Sequence, residues 1–328
     1  MSDFSNTYDT TNPGSGVSNR EDLTDILTIL APEETPVLSS APKSKATATF
    51  VEWTVDSLAA PVTTGVAEGS DVTSFTDKFS GRARLGNYVQ KFRRDFMVSD
   101  LQDAVESVGP AKIAEAEAKS ARELKRDVEA TLCSANDRTA EDGAGTVYGL
   151  RGLGGWIDSA GPTDVPAAYR TPADSIHSTG SLTESGFNDL ITSIYRVTGS
   201  TNNLTLVADT ALRRVIADYA RTSGSTNAVY RQVTQAADSK TIKLSVEMYE
   251  SDHGMVSIVN MNPDCSPDTT NKDTGYLINP DYYGVAELIG LGSTRLPNLG
   301  GGERGYVDTT LSLLVKHPGA HGKITAIA

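Results

Sequence analysis

PAKIAEAEAKSARELKRDVEATLCS, residues Pro110 to Ser134, is the stretch around which the rest of the chain can be read. Ile113, Ala116, Ser120, Leu124, Val128 and Leu132 recur at three- and four-residue spacing, the period of one narrow helical face. Glu115, Lys119 and Glu123 form a four-spaced ladder of alternating sign, and Lys125 stands four before Glu129. Each such pair adds about 0.2–0.5 kcal/mol to an exposed helix. Gly109-Pro110 supplies the start, because proline at the first helical position lacks only an N–H that would have no partner there. The spacing predicts a rod of roughly 37 Å that lies across a surface on its apolar seam, with its charged sides in water.

Working back toward the N-terminus, Ser99 with Gln102 three residues on reads as a capping box that opens a shorter helix. Before it, Ala46 to Asp56 alternates, with Val51, Trp53 and Val55 on one face and Glu52, Thr54 and Asp56 on the other, as a strand requires. Arg82 to Phe96 reads as a second strand and carries Arg82, Arg84, Lys91, Arg93 and Arg94. Between the two lies a Thr-, Ser- and Gly-rich stretch from Ser57 to Gly81, and a loop of that length inside a compact domain usually signals function or disorder. Residues 1–19 have almost nothing to bury and read as an extended arm. Arg20 to Leu30 can form a short helix with Leu23, Ile26, Leu27 and Leu30 on one side, ended by Pro32 and Pro36.

Toward the C-terminus a Gly-rich linker, GLRGLGGWIDSAGP (Gly149 to Pro162), leads into a helix over Thr183 to Val197 with Phe187, Leu190, Ile191 and Ile194 inward. Leu204 to Ala208 is a short strand, and Asp209 caps a helix that turns Leu212, Val215, Ile216 and Tyr219 inward. Lys240–Glu250, Met255–Met261 and Gly275–Ile278 read as strands of a mixed α/β lobe. Tyr306 to Lys316 alternates, with Val307, Thr309, Leu311, Leu313 and Val315 on one face. It then turns at Pro318-Gly319 toward Lys323–Ile327, which predicts a terminal hairpin.

Composition excludes several classes. The chain has 328 residues, 38% of them hydrophobic, enough for one or two folded lobes. Apolar runs such as LSLLV (Leu311–Val315) fall far short of the roughly 20 residues a membrane-spanning helix needs, so no membrane is expected as a partner. The polar start, with no basic and apolar leader, predicts a protein that stays inside the cell making it. A net charge of −13 disfavours tight binding to nucleic acid, where affinity comes from Lys and Arg displacing counterions. Cys133 and Cys265 form no C-x-x-C pair and read as buried thiols.

Catalytic signatures are missing: there is no phosphate loop, no H-E-x-x-H and no G-x-S-x-G. The clusters Gly149, Gly152, Gly154, Gly155 and Gly300 to Gly302 do not sit between a clear strand and a helix start and read as turns. His317 and His321 are four apart, but Pro318-Gly319 puts them on a turn rather than on one helical face. Asp264, Asp268 and Asp273 lack the spacing of a calcium loop. No catalytic residue, cofactor or metal is therefore expected, and the chain reads as a non-enzyme. The basic run from Arg82 to Arg94 can meet nucleic acid, the acidic Glu68, Asp71 and Asp77 of the same or a neighbouring chain, or simply water.

The order of these elements resembles the Hong Kong 97-type (HK97-like) major capsid proteins of tailed phages, and in particular the branch typified by the SU-ten major capsid protein. The resemblance spans nearly the whole chain. It is carried by NREDLTDILTILAPEETPVLSS (Asn19–Ser40), FVEWTVDSLAAP (Phe50–Pro61), FRRDFMVSDLQDAV (Phe92–Val105) and KSARELKRDVEATL (Lys119–Leu132). LTESGFNDLITSIY (Leu182–Tyr195), LVADTALRRVIADYA (Leu206–Ala220), YESDHG (Tyr249–Gly254) and AHGKITAI (Ala320–Ile327) complete it. LPNLGGGERG (Leu296–Gly305) departs from the family pattern in being richer in glycine.

The resemblance implies an α+β fold in five parts: an N-terminal arm (1–45), an E-loop hairpin (46–96), a P domain with the spine helix (97–144), a mainly A-domain region (145–290) and returning P-domain strands (291–328). It implies self-assembly into pentamers and hexamers of an icosahedral head around double-stranded DNA, contacted weakly. Scaffold, decoration and portal proteins are the further partners, with assembly in the host cytoplasm and residence in the virion capsid. No separate scaffolding domain is expected ahead of the arm. Candidate intersubunit contacts are Glu68, Asp71, Asp77, Lys78, Arg82, Arg84, Lys91, Arg93, Arg94, Arg122, Arg126 and Arg304. Lys78 is the only lysine in the loop and is expected to be an ordinary exposed lysine, although some relatives crosslink Lys to Asn. A tail or decoration component is the alternative virion role.

Overall fold

The computed structural model describes residues 33–104, 112–201, 203–219 and 247–327. α1 (Pro36–Ser40) and β1 (Lys43–Lys45) precede the paired β2 (Phe50–Val55) and β3 (Ala83–Tyr88). β4 (Gln90–Val98) and α2 (Asp100–Ala104) lead to α3 (Lys112–Cys133). After α4 (Leu153–Trp156) come β5 (Ile176–His177), α5 (Glu184–Thr198), β6 (Leu204–Ala208), α6 (Thr210–Tyr219), β7 (Met248–Ser251), β8 (Gly254–Asn260) and β9 (Gly275–Ile278). The long β10 (Tyr283–Leu296) and β11 (Glu303–Val315) are followed by β12 (Gly322–Ile324).

The expected seam of α3 is the buried one. Leu124, Val128 and Leu132 are fully enclosed, Ser120 is buried beside them, and Ile113 and Ala116 are half-covered at the N-terminal end. They meet Phe92 and Phe96 of β4 and Val307 and Leu311 of β11 in one core. Burying a Leu or Val side chain contributes about 1.5–3 kcal/mol, so this seam, rather than helix propensity, holds the rod. β4 and β11 belong to a four-stranded sheet of order β1-β10-β11-β4, in which β1 runs parallel to β10 and the other pairs are antiparallel.

A second core is built on a six-stranded sheet of order β5-β12-β9-β6-β8-β7. α5 packs Phe187, Leu190, Ile191 and Ile194 into it, and α6 adds Leu212 and Ile216. Thr183 caps α5 by accepting from the Gly186 N–H at 3.1 Å, and Gly199 ends it at φ 70°, a left-handed conformation open to glycine at no steric cost. The box at Ser99 forms, with the Gln102 N–H donating to Ser99 Oγ at 3.2 Å.

Three expectations need correction. Arg82–Phe96 is not one strand: it breaks at the buried Val89, so that β3 pairs with β2 while β4 crosses to β11. The terminal segments form no hairpin. β11 lies between β10 and β4, whereas β12 joins the other sheet between β5 and β9, because the Pro318–Ala320 turn carries the chain across. Glu129 does not face Lys125 in water but is fully buried, with its carboxylate turned to α1. The helix read over Arg20–Leu30, the Pro110 start and most of the Lys240–Glu250 strand lie outside the described residues.

Candidate intersubunit surfaces

The loop between β2 and β3 carries little that could fold on itself. Its Thr, Ser and Gly residues offer no core, and its large apolar side chains remain in water: Leu58 is 100% exposed, Phe75 91% and Val66 85%, with Val62, Val72 and Phe79 also exposed. Exposed apolar side chains gathered on one loop are what a surface meant for another molecule presents. At its base Arg82 pairs with Asp56 at 2.8 Å and lies over the Phe79 ring, while Tyr169 Oη donates to the Gly81 carbonyl at 2.5 Å.

That loose loop stands on a rigid stem. Trp53 of β2 packs on Trp156 of α4 with ring centroids 5.6 Å apart. Asn87 of β3 accepts from the Arg151 N–H at 2.8 Å, and its amide donates to the carbonyls of Arg151 and Leu313. Arg151 is fully buried over the Trp156 ring, donating to Asp137 at 2.6 Å and twice to Asp164. Burial pushes the Asp164 carboxyl up, but the hydrogen bonds and charge of Arg151, aided by Arg138, outweigh it and leave the group below its ordinary value. Nothing in the sequence pattern singled out Asn87 or Arg151, and Glu129 stood out only as an exposed partner for Lys125, although it directly follows the seam residue Val128 and so falls close to the buried face.

The basic run is largely neutralised within the chain, and not by the expected acids. Arg84 pairs with Glu52 at 3.7 Å, Lys91 with Asp308 at 3.2 Å, and Arg94 forms a fork with Asp127 at 2.6 and 2.8 Å. On α3, Arg122 meets Glu33 at 3.0 Å and Arg126 meets Asp264. Arg304 donates to the Pro297 carbonyl at 3.2 Å. Asp77 accepts from the Phe79 N–H within its own turn. Glu68, Asp71, Lys78 and Arg93 have no ion-pair partner among the described residues.

A second exposed apolar patch lies at the far end of the four-stranded sheet. There Met97, Leu101, Leu296 and Leu299 stand in water around the loop between β10 and β11. Asn298 folds this loop by accepting from the Gly300 and Gly302 N–H groups. Gly302 sits at φ 125° with Val98 O 2.1 Å from where a Cβ would be, so only glycine lets the loop close against β4.

Where the two sheets meet, His317 packs edge-on to Tyr169, and the fully buried His321 accepts the Asn279 N–H through Nδ1 at 3.2 Å. Burial pulls the His321 pKa down to about 4, from an ordinary value of 6.5. A lowered folded-state value means that the stabilisation is present above about pH 6.5 and is lost as pH falls through about 4. The full loss is about 3 kcal/mol. Urea midpoints followed down that range are expected to fall less steeply for His321→Gln than for the natural chain; parallel slopes would show that His321 does not carry the effect.

Cys133 and Cys265 are both buried and free, and burial raises both thiols above their ordinary value. Among the described residues no group of three or more His, Cys, Asp or Glu gathers as metal ligands, and no helix is long and apolar enough to cross a membrane.

Known structures share this arrangement. The capsid of the native GTA particle superposes with a TM-score of 0.63 at 14% identity over 98% of this chain and 99% of that one. The Cyanophage A-1(L) capsid gives 0.63 at 14% identity over 94% and 98%, and the capsid of Cyanophage P-SCSP1u gives 0.60 at 12% over 98% and 97%. No curated protein sequence matches. The sequence matches the family described as SU10 major capsid protein over residues 3–328. The chain therefore belongs to the SU10 major capsid protein family, a component of the phage capsid with the HK97-like α+β fold.

Proposed function

We propose that this chain is the repeating subunit of an icosahedral phage head, assembling into pentamers and hexamers that enclose double-stranded DNA. The observation that carries the reading is the loop between β2 and β3, whose apolar side chains find no cover in their own subunit while its stem is locked by buried polar bonds. In a closed lattice each loop is ordered by the next copy, and many weak contacts become strong through effective concentration. The chain divides into arm (1–45), E-loop hairpin (46–96), P domain with the spine helix (97–144), mainly A domain (145–290) and returning P strands (291–328), with β12 lying between β5 and β9 in the six-stranded sheet.

Charge suggests the pairing between copies. Glu68 and Asp71 at the loop tip and Arg93 on β4 have no partner within the described residues, so the tip of one copy suits the β4 surface of its neighbour. Lys78, Arg82, Arg84, Lys91, Arg94, Arg122, Arg126 and Arg304 would line the same contacts. The acidic whole chain, with most of that basic run already paired internally, fits weak contact with packaged DNA. Assembly takes place in the host cytoplasm with scaffold, decoration and portal proteins as partners, and the subunit catalyses no reaction.

Expressed with the remaining head proteins of its phage, the chain is expected to form the continuous lattice of closed shells in electron cryomicroscopy. Finding it only in tails, or scattered on a shell made of another protein, would overturn the reading.

A further inference from the structure

The two faces of the four-stranded sheet are unlike. Val307 and Leu311 of β11 and Phe92 and Phe96 of β4 turn toward α3, as does Arg94, so alternation puts Lys91 and Arg93 of β4 and Thr310 and Ser312 of β11 on the other face. There a cavity of about 610 Å³ opens, lined in part by Val89, Arg93, Val147, Tyr148, Leu288 and Thr310. β10 slips register between Glu287 and Ile289 opposite Thr310, and this bulge takes Leu288 out of the ladder. The loop after α3 forms the wall, and it is already set in the subunit. Asp142 accepts from the Ala144 and Thr146 N–H groups and from the Thr146 hydroxyl, Thr139 bridges to Gly149, and the Tyr148 ring packs on Tyr88 with centroids 5.6 Å apart.

The cavity is incomplete within one subunit. Thr310 is only 6% exposed, yet its Oγ1 has no hydrogen-bond partner among the described residues, and Ser312, next on the same face, is fully buried with its Oγ equally unpartnered. A buried hydroxyl in that position bears a desolvation cost that nothing offsets. Val147 stands exposed on the wall. Lys91 is held by Asp308 at 3.2 Å, whereas Arg93 has no ion-pair partner among the described residues.

The chain itself carries a segment of matching chemistry. VAEGSDV (Val66–Val72), at the tip of the loop between β2 and β3, is shaped as a turn: the Ser70 N–H and hydroxyl both donate to the Ala67 carbonyl, and Gly69 takes φ 77°. It holds out Glu68 and Asp71, which also lack an ion-pair partner among the described residues, between the exposed Val66 and Val72. In the subunit these side chains lie in water, so an occupant of this kind comes from a second copy.

We propose that this cavity is the socket for the Val66–Val72 tip of a second copy. The Glu68 and Asp71 carboxylates meet Arg93, a tip valine packs against Val89, Leu288 and Val147, and an oxygen of the tip accepts from the Thr310 hydroxyl. Glu141, which also lines the cavity from the wall loop, repels the same acids and so sets which way round the tip lies. The inference rests on the reading that copies of this chain assemble into a shell, and it adds the receiving site.

Charge exchange in the full-length chain tests the pairing. Arg93→Glu is expected to abolish shells in electron microscopy while leaving the subunit folded, and combining it with Glu68→Arg and Asp71→Arg is expected to restore them. Thr310→Val separates docking from folding, because it deletes an unpartnered hydroxyl at nearly constant shape. The free subunit should melt at the same temperature or higher, while assembled shells dissociate at a lower urea concentration. Normal shells from Arg93→Glu, no rescue by the exchanged charges, or Thr310→Val shells as resistant as the natural ones would each overturn the socket and leave the capsid reading standing. A natural chain that builds no shell with its companion head proteins would overturn that reading, and the socket with it.

Discussion

Removing Pro61–Thr76 is expected to leave a soluble, folded subunit that forms no stable shell. The deleted stretch makes no core: Val62, Val66, Val72 and Phe75 within it are all exposed. Loss of such a surface segment changes stability by about 0.5 kcal/mol or less, and a shorter loop returns about 0.6 kcal/mol for each halving of its length. The stem survives, because the Trp53–Trp156 contact, the Asn87 bonds and the β2–β3 ladder all lie outside the cut. Shell assembly, by contrast, would lose from every subunit the loop's exposed apolar side chains. Thermal melting compared with electron microscopy separates the two effects: an unchanged melt with no particles is the expected pair, and normal particles from the deleted chain would remove the loop's assigned role.

Arg151→Leu is expected to destabilise the isolated subunit by about 3–5 kcal/mol, the usual consequence of removing one partner of a buried ion pair. The guanidinium is enclosed on every side: Asp137 and Asp164 take its N–H groups, Trp156 covers one face, and its backbone is tied to Asn87. Leucine would leave the half-buried Asp164 with Arg138 alone. Arg151→Lys should fall between the two, since a point charge cannot reproduce the two-pronged hold on Asp164. Asp137→Ala is the internal control, because that carboxylate is 72% exposed and exposed pairs contribute about 0–1 kcal/mol. Urea unfolding of the three variants tests the ordering, and a leucine variant no weaker than the Asp137 control would show that the buried arginine is not what anchors the stem.

The two predictions concern the loop of one hairpin and the arginine that anchors its stem, and they show what a linear reading can and cannot reach. Alternation in β2 and helical spacing in α3 were legible because each depends on residues within a few positions of one another. The loop was legible for the opposite reason, as a stretch with no pattern that could bury it. The break at Val89 was not, because β3 and β4 are both plausible strands and only their partners, β2 and β11, differ. Among the candidate contacts, Glu68 and Asp71 remain open in the folded subunit, whereas Arg82, Arg84, Lys91 and Arg94 turned out to have partners that no local spacing indicates.

The sequence by itself determined the long helix α3 and its seam, α5, β6, α6, β8 and β9 of the second lobe, the unsupported loop, the absence of catalytic motifs and, through segment resemblance, the family. Only the tertiary structure decided which sheet each strand joins, that Glu129 faces α1 rather than water, and that Arg151 and Asn87 lock the stem. The difference is one of range. A side chain's place on a helix or strand follows from neighbours a few residues away, whereas the cover over a buried polar group comes from wherever the chain returns, as when Asn87 reaches the Leu313 carbonyl. Once such a group is out of water its partner is obligatory, but no periodicity in the sequence points to it.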